Sequence, residues 1–541
     1  MTNRARNIAD ARRVSTSHRM SRVHGARIDG HLPEPGGAMD TRGGADRGRR
    51  AWILVACALG VAVALRFAAW SPLWLDEAQS VAIARLPIPQ LFDALRADGS
   101  SPLYYLLLHA WMQLFGDGAV AARAMSGVIS VLSLPLGFVL GRRLAGASGG
   151  IATLLLLAAS PFAIRYATET RMYSLLVLLT LAGGFALDAV RRRPGPRSVL
   201  GVAVVTAALL LTHYWSIFLL VAVGALAVAR VVLSPDRHPR YVLAGLALGT
   251  LGFLPWLPSF LYQRAHTGAP WASRPGSDAL VATVRAWAGA PTLAGELLYL
   301  LMVTLVVAAL FVRRVAGRRI VLELRAAPVP ATLLLVTLGT VALGVAVASV
   351  GGTAYVSRYT AVALVPFLLV LALGVCTLPA RSRLRRIALT LAVCLGLLAA
   401  APGVVQPRTQ AGQAAAILAN RARPGDLVVS CPDQLGPAIA RLAPSWLRLA
   451  GYPTLRRPDR VDWVDYAQRN AAADPATIAA RILADAPTHT VWLATASGYR
   501  SFGHDCEQLA LRLQRARPDA TVVMYQRKVL EREQLLRFPP P

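Results

Sequence analysis

Two adjacent carboxylates, Asp76 and Glu77, follow soon after the first long apolar run of the sequence, residues 51–70. The run is long enough to cross a bilayer, so the pair lies near the point where the chain leaves the membrane. Carboxylates at that depth cost free energy unless water, a partner or a substrate solvates them. An ionised carboxylate can take the proton of an attacking hydroxyl group. The position therefore predicts a general base; the alternative is a structural pair that caps the loop or binds an arginine.

Three isolated arginines lie in other short segments beside apolar runs: Arg165, Arg171 and Arg358. A charge close to lipid is costly, so each of them needs a partner or an anionic ligand. Arg165 and Glu169 are four residues apart and would pair with each other on a helix. Arg358 has no acidic residue close to it in the sequence. The pattern therefore favours Arg358 as the ligand of an anion, followed by Arg171.

The composition requires a membrane scaffold to position these side chains. Of the 541 residues, 55% are hydrophobic and 16% are charged, and the apolar residues form runs of a length that spans a bilayer. A net charge of +29 is, by itself, typical of a protein that binds nucleic acid. Most of that charge lies in the N-terminal tail and in short loops, as the positive-inside rule describes, so no nucleic-acid partner is predicted.

Apolar runs and arginine clusters alternate along residues 51–404, which predicts about eleven transmembrane helices. Residues 1–50 are basic and lack apolar periodicity, so they are predicted to form a disordered cytoplasmic tail. The first outer loop, 71–117, contains a short apolar stretch at 103–115 that suits a helix lying in the membrane interface. The charge pattern places the N-terminus inside and both the carboxylates and the isolated arginines outside.

The composition changes after residue 404, and residues 405–541 are predicted to form a small extracytoplasmic α/β domain with a parallel sheet. Strands are predicted at 426–430, 490–494 and 520–525, and helices at 434–442 and 505–517. No glycine-rich phosphate loop follows a strand, which argues against nucleotide binding. The five cysteines form neither a disulfide framework nor a metal site, although a bridge between Cys431 and Cys506 stays open.

Four clusters on the predicted outer face resemble a known family. They are LWLDEAQS at 73–80, SPLYYLLLHAW at 101–111, RYATETRMYSL at 165–175, and HYW at 213–215 together with SRY at 357–359. The set resembles the polytopic GT-C glycosyltransferases of the protein-mannosyltransferase and aminoarabinose-transferase type (family 39), which include the RgtA/B/C/D-like group. The resemblance covers roughly 400 residues after the tail and implies a GT-C-like fold in the plasma membrane.

The resemblance implies a polyprenyl-phosphate sugar donor and places the family's catalytic carboxylate motif on Asp76 and Glu77. One base suffices for an inverting attack, whereas a retaining double displacement also needs a nucleophilic carboxylate. The leaving lipid phosphate would be held by Arg358, Arg171 and Arg165, because a guanidinium group carries a permanent charge and forked donors. Further pocket residues are predicted from the clusters, since aromatic faces stack on sugars: Tyr104, Tyr105, His109, Glu169, Tyr173, His213, Tyr214 and Tyr359.

The residues leave the sugar and the acceptor open. The family suggests transfer of mannose or an arabinose-like sugar, a hexosyl or pentosyl group, to an envelope glycan, a lipid or a protein. No spacing resembles a metal site and no cofactor is predicted, although a divalent cation shared by Asp76, Glu77 and the phosphate stays open. A transporter or lipid flippase is the alternative, but no internal repeat supports it. A non-catalytic envelope scaffold is the third interpretation.

Overall fold

The computed structural model describes residues 41–268, 274–316, 319–323, 328–351, 355–379 and 382–541. The predicted disordered tail therefore lies outside the described residues up to position 40. The chain divides into two compact units, Met1–Leu54 and Val55–Pro541. The described part of the first unit is helical, so residues 41–50, predicted as disordered tail, form helix instead. All contacts given below lie within the second unit.

The membrane region is built almost entirely of helices. In chain order they are α1 (Thr41–Leu65), α2 (Leu75–Ala84), α3 (Ile88–Asp98), α4 (Pro102–Phe115), α5 (Ala119–Ala158), α6 (Pro161–Ala167), α7 (Tyr173–Arg192), α8 (Pro196–Leu210), α9 (Ser216–Leu233), α10 (His238–Leu251), α11 (Leu257–His266), α12 (Ala279–Ala288), α13 (Leu293–Leu310), α14 (Pro328–Gly351), α15 (Ala361–Thr377) and α16 (Arg383–Val405). Short 3₁₀ turns, Leu254–Trp256 and Ser357–Thr360, precede α11 and α15. An antiparallel hairpin of β1 (Val312–Ala316) and β2 (Arg319–Glu323) follows α13.

Eight helices of the described residues are long and apolar enough to cross a membrane. Each of the eleven predicted crossings coincides with an apolar helix. Helix α5 covers two of them, and the apolar part of α1, Ile53–Leu65, and the shorter helix α8 supply two more. The predicted polytopic helical fold is therefore confirmed. The stretch at 103–115, predicted to be helical and too short to span, is α4, and one face of it is buried.

Helix α5 bends sharply at Ala145 and Gly146, which leave the helical conformation. Gly146 has φ of +65°, a left-handed conformation that glycine adopts without steric cost. The two arms then pack antiparallel and very closely, since a Cβ on Gly149 would lie 2.6 Å from the carbonyl oxygen of Gly141. The predicted third crossing ends earlier than expected, at Ala158, and its last residues form the separate helix α6.

The C-terminal region is an α/β domain, as predicted, but its sheet is mixed rather than parallel. Its elements are α17 (Ala411–Arg421), β3 (Leu427–Cys431), α18 (Gly436–Leu442), β4 (Arg448–Gly451), α19 (Tyr466–Ala471), α20 (Pro475–Asp485), β5 (Val491–Thr495), α21 (Asp505–Ala516), β6 (Thr521–Met524) and β7 (Gln534–Phe538). The strand order is β4-β3-β5-β7-β6, and β7 runs antiparallel to both of its neighbours. A disulfide joins Cys431 to Cys506.

The C-terminal domain packs directly on the segment that carries the predicted carboxylates. Trp74 and Leu75, at the start of α2, belong to the same buried apolar cluster as Val429 and Leu493 of the sheet. The amide of Gln79 further along α2 also bonds to the backbone of Val461. Helix α2 is therefore held between the membrane helices and the C-terminal domain.

Candidate active site

Asp76 lies in the first turn of α2, where the positive end of the helix dipole favours a carboxylate. Its Oδ2 lies 3.2 Å from Nη2 of Arg358, and both side chains stay partly accessible, at 17% and 18% exposure. The Arg358 guanidinium also lies over the rings of Trp74, at 5.9 Å, and Tyr359, at 5.7 Å. The structure thus brings the predicted base and the favoured anion ligand together from positions 282 residues apart in the chain.

Glu77 has a different environment, since its side chain is fully buried and both oxygens are engaged. Arg123 on α5 donates from Nε to Oε1 at 2.7 Å and from Nη2 to Oε2 at 2.5 Å. The backbone N–H of Thr170 donates to Oε1 at 3.0 Å. Sequence reasoning missed Arg123; the available signal was an arginine inside an apolar run. A carboxylate held this way suits a positioning role better than proton transfer from a substrate.

Arg171 lies beside α2 as well. Its Nη1 donates to the hydroxyl of Tyr105 at 3.1 Å and to Oγ of Ser80 at 3.3 Å. The hydroxyl of Ser80 in turn donates to the backbone oxygen of Asp76 at 2.7 Å. Tyr105 continues the network to Ser100 at 3.1 Å. The predicted residues Arg171 and Tyr105 therefore form part of the surroundings of Asp76.

Tyr173, His213 and Tyr359 form an aromatic wall next to the two arginines. The ring centre of His213 lies 5.0 Å from that of Tyr359 and 6.1 Å from that of Tyr173. The buried Tyr173 hydroxyl has no hydrogen-bond partner among the described residues, an unusual state for a buried polar atom. Tyr166, which the sequence analysis did not single out, packs against Tyr173 at 4.6 Å.

His213 is neutral and its tautomer is defined by a neighbour. Burial, with the positive charges of Arg171 and Arg358, lowers the pKa of His213 to about 3. The backbone N–H of Trp215 donates to Nδ1 at 3.1 Å, so the ring proton belongs on Nε2. His213 can therefore donate one hydrogen bond from Nε2 and cannot act as a cation at neutral pH.

Arg165 and Glu169 pair with each other, as their spacing allows. Nη1 of Arg165 lies 2.9 Å from Oε2 of Glu169, and Arg408, from the segment after α16, approaches the same oxygen at 4.0 Å. Arg408 also donates to the backbone and hydroxyl oxygens of Thr168 at 2.5 Å. Arg165, Glu169 and Arg408 together support the turn after α6. This turn carries Thr170, whose backbone N–H donates to Glu77. The geometry favours a structural role for Arg165 over a phosphate contact.

Three other predicted pocket residues have structural partners of their own. Tyr104 is buried and its hydroxyl contacts Oγ of Ser126 at 3.3 Å. His109 bonds through Nδ1 to the backbone oxygen of Ala84 at 2.7 Å. Tyr214 accepts from the indole N–H of Trp256 at 2.9 Å and donates to Gln263. Their contacts connect helices, and no contact of His109 or Tyr214 reaches Asp76 in the described part of the chain.

The C-terminal domain supplies a carboxyl group to this region, which sequence reasoning did not assign. Oε1 of Glu531 accepts the backbone N–H of Leu75 at 3.1 Å and thereby caps the start of α2. The Glu531 side chain is only 3% exposed, and burial raises its pKa to about 8. Its neighbour Glu533 is fully buried, and burial also raises the pKa of Glu533 well above its ordinary value. The domain thus fixes the position of the helix that carries Asp76.

The raised pKa of Glu531 predicts a pH-dependent stability. The protonated group stabilises the fold fully below its ordinary pKa of 4.5, and this contribution is lost as the pH rises through about 8. Glu531→Gln keeps an acceptor for Leu75 and cannot ionise, so its advantage in unfolding temperature over the wild type should grow across that window. Thermal unfolding of purified protein over a pH series measures it, with the exposed Glu507→Gln as control. If the unfolding temperatures of the wild type and Glu531→Gln changed with pH in parallel, Glu531 would not have the raised pKa.

Among the described residues, no group of three or more His, Cys, Asp or Glu side chains could hold a metal ion. Asp76 and Glu77 are adjacent in sequence but bind different arginines, Arg358 and Arg123. The absence of a cofactor stays a prediction, and a binding measurement with a divalent cation tests it.

The family model described as dolichyl-phosphate-mannose-protein mannosyltransferase matches residues 99–258. Two similar solved structures are of ArnT from Cupriavidus metallidurans, in the apo state and bound to undecaprenyl phosphate. Both are 16% identical and cover 91% of this chain, with TM-scores of 0.57 and 0.54 and coverage of 100% and 99% of the ArnT chain. The arabinofuranosyltransferase AftD from Mycobacteria is 14% identical with a TM-score of 0.51, covering 91% of this chain and 40% of AftD. No curated protein matches the sequence.

The chain shares the helical membrane fold of the ArnT structures, which confirms the predicted GT-C-like fold. The match over residues 99–258 and the ArnT-like fold confirm the predicted resemblance to the mannosyltransferase and aminoarabinose-transferase type. These findings support a membrane glycosyltransferase as the general activity.

Proposed function

We propose that this protein is an inverting glycosyltransferase that uses a polyprenyl-phosphate sugar as donor. It transfers a mannose or arabinose-like sugar to a hydroxyl group of an envelope glycan, lipid or protein. The reaction takes place at the outer face of the plasma membrane, with the N-terminus in the cytoplasm and the C-terminal domain outside. The observation that carries the proposal is the partly exposed Asp76 side chain, 3.2 Å from Arg358, beside a second arginine and an unpartnered tyrosine hydroxyl.

In the proposed reaction, Asp76 takes the proton of the acceptor hydroxyl as attack begins. The acceptor oxygen forms a bond to the anomeric carbon of the donor sugar. The bond from that carbon to the phosphate oxygen breaks, and its electron pair leaves with the polyprenyl phosphate. Attack opposite to the leaving group inverts the anomeric centre, so a second, nucleophilic carboxylate is not needed. This agrees with Glu77, whose oxygens are already bound by Arg123.

The leaving phosphate gains negative charge, and the donors around Asp76 suit that change. Arg358 and Arg171 supply permanent charge with fixed geometry. The Tyr173 hydroxyl and Nε2 of His213 supply neutral hydrogen-bond donors. Donors arranged in advance for a developing charge stabilise the transition state without reorganisation. The ArnT structure with bound undecaprenyl phosphate, which shares the fold, supports a polyprenyl phosphate as the donor's leaving group.

A panel of radiolabelled polyprenyl-phosphate sugars tests this function directly. Membranes with and without the protein are incubated with each donor, and incorporation into glycan, lipid and protein fractions is measured. Incorporation from one donor that depends on the protein supports the proposal and identifies the sugar. Movement of the labelled lipid across sealed vesicles with no transferred product would favour the flippase instead.

Replacing Arg358 by Gln is expected to lower the rate of transfer by about 100-fold or more, since removal of one donor from a developing charge typically costs that much. Initial rates at saturating donor measure the effect. The matched control is Arg85→Gln on the segment after α2, where an exposed arginine pairs with Asp117 and contributes little. Equal rates for the two variants would remove Arg358 from the proposed site.

A further inference from the structure

The β6–β7 loop, residues 525–533, contacts the segment in which the chain leaves its last membrane helix. The backbone N–H of Glu531 donates to the oxygen of Arg408 at 2.8 Å, and the N–H of Gln410 donates to the oxygen of Glu531 at 3.3 Å. Arg408 lies three residues beyond Val405, the last residue of α16, and α16 is long and apolar enough to cross a membrane. The C-terminal domain therefore meets the membrane region beside the end of a crossing.

The pairing with this segment fixes the direction in which the β6–β7 loop runs. The bridge between Thr409 and Glu531 is parallel, so the two chains run the same way on both sides of it. The residues before Thr409 lead back to Val405 and the membrane. The residues before Glu531 therefore also lead towards the membrane.

The part of the loop before Glu531 forms a turn, and its tip is residues 528–530. Both sides of the turn are tied to one side chain, since Oε1 of Gln410 accepts the backbone N–H of Arg527 at 2.7 Å and that of Glu533 at 3.0 Å. Within the turn, the N–H of Val529 donates to the oxygen of Arg527 at 2.9 Å. The tip is therefore held in place, on the membrane side of Gln410.

The exposed side chains of the β6–β7 loop combine positive charge with apolar surface. Its exposed charged residues are all basic, Arg527, Lys528 and Arg532, whereas its two glutamates are buried. Leu530 at the tip is 57% exposed, and Tyr525 at the start of the loop is exposed as well. Basic groups attract anionic lipid headgroups, while apolar and aromatic side chains suit the boundary between headgroups and acyl chains. The loop thus has the composition of a segment that lies on a lipid surface.

The neighbouring ends of the membrane helices mark the level of this boundary. Leu65, at the end of α1, packs against the buried cluster that contains Ala400 and Val404 of α16, so the two helices end side by side. Trp70, five residues beyond Leu65, is exposed. Tryptophan is enriched at membrane–water boundaries. The β6–β7 loop therefore lies close to the surface of the membrane that these helices cross.

We propose that the tip of the β6–β7 loop docks on the membrane leaflet on the side of the C-terminal domain, and that anionic phospholipid is the surface it recognises. Leu530 enters the interface, and the three basic side chains of the loop bind headgroup phosphates. The docked loop is connected to the candidate active site, because Glu531 follows the tip and accepts the N–H of Leu75 at 3.1 Å. The proposal goes beyond sugar transfer, and its test needs no turnover.

Tryptophan fluorescence of the full-length protein in vesicles tests the position of the tip. Leu530→Trp reports on the tip, and Thr521→Trp is the matched control at the exposed far end of β6, about 13 Å from the start of the loop. The signal of each added tryptophan is the difference from the wild type, which has 11 tryptophans. Lipids brominated near the headgroup end of their acyl chains should quench the signal added by Leu530→Trp and leave that of Thr521→Trp unchanged. Equal quenching of the two added signals, or none of either, contradicts docking.

The headgroup preference is tested by placing the bromine on phosphatidylglycerol or on phosphatidylcholine in vesicles of the same overall composition. Each Lys or Arg near an anionic surface strengthens binding about fivefold, so brominated phosphatidylglycerol should quench Leu530→Trp at least about twofold more strongly. Replacing the three basic residues of the loop by Gln should remove this difference. The control with the same loss of charge is Arg481→Gln with Arg512→Gln and Arg515→Gln, at exposed positions of α20 and α21, and should keep the difference.

Further outcomes overturn the recognition of anionic phospholipid. Equal quenching by the two brominated lipids, or a difference that persists without the basic residues, means that charge does not hold the loop. Quenching that appears only when undecaprenyl phosphate is added means that the loop contacts a substrate lipid instead of the membrane surface. If the triple variant does not fold, Lys528→Gln alone at the exposed tip takes its place and should reduce the difference between the two lipids. Sugar transfer is measured separately, so failure of the docking leaves the proposed function standing.

Discussion

Asp76→Asn is expected to reduce sugar transfer by at least about 100-fold while leaving the protein folded in the membrane. The amide has almost the same shape and can still contact Arg358, but it cannot take the proton of the acceptor hydroxyl. General base catalysis typically contributes factors of about 10² to 10⁴, which sets the size of the effect. Initial rates with a polyprenyl-phosphate sugar measure the loss. Binding of undecaprenyl phosphate, measured separately, should persist because the arginines remain.

The control for Asp76→Asn removes a carboxylate from the same region without touching the proposed site. Asp117 lies just before α5 and pairs with Arg85 in an exposed ion pair. Asp117→Asn should therefore transfer sugar at the rate of the wild type. A wild-type rate in Asp76→Asn would eliminate this residue as the base. Loss of phosphate binding together with activity would instead mean that the substitution disturbs the arginine side of the site.

The part of the site that the sequence predicted depends on a global pattern. Asp76 and Arg358 are far apart in the chain, but alternating apolar runs and arginine clusters place both segments at the same face. The structure brings their side chains to 3.2 Å. The crossings predicted from the same alternation each coincide with an apolar helix, because the length and hydropathy of a run are strong signals in a membrane protein. The sequence also ranked Arg165 below Arg358 and Arg171 as a phosphate ligand, because Glu169 lies one helical turn from Arg165 and can pair with it.

The remaining contacts have no local signal in the sequence. The bond from Leu75 to Glu531 joins positions 456 residues apart, and nothing around Glu531 indicates its partner. The antiparallel direction of β7 depends on how the chain returns to the sheet, which apolar runs do not specify. Arg123 lies in a run that predicts a membrane helix, so its partner could not be identified from spacing. Long-range packing decides each of these features.

The buried pair of Glu77 and Arg123 leads to the second large effect, on stability rather than on chemistry. Both side chains are 5% exposed or less, and their groups form two parallel hydrogen bonds. Removing Arg123 takes both of these hydrogen bonds from the buried Glu77 and leaves it the more distant Arg408, 3.8 Å from Oε1, as an ion-pair partner. Breaking a buried ion pair typically costs about 3–5 kcal/mol. Arg123→Gln is therefore expected to unfold at a much lower temperature than the wild type. Thermal unfolding in detergent, with the yield of folded protein, measures the loss.

A double variant separates this structural role from catalysis. The double variant Glu77→Gln with Arg123→Gln removes both charges. It should be less destabilised than Arg123→Gln alone, because the effects of substitutions at two contacting residues on stability are not additive. Glu77→Gln alone should yield less folded protein, but each folded molecule should retain transfer, in contrast to Asp76→Asn. If folded Glu77→Gln were as inactive as Asp76→Asn, the two carboxylates would share the proton transfer. The different partners of neighbouring residues, Arg358 for Asp76 and Arg123 for Glu77, argue that one acts on substrate while the other holds the helix in place.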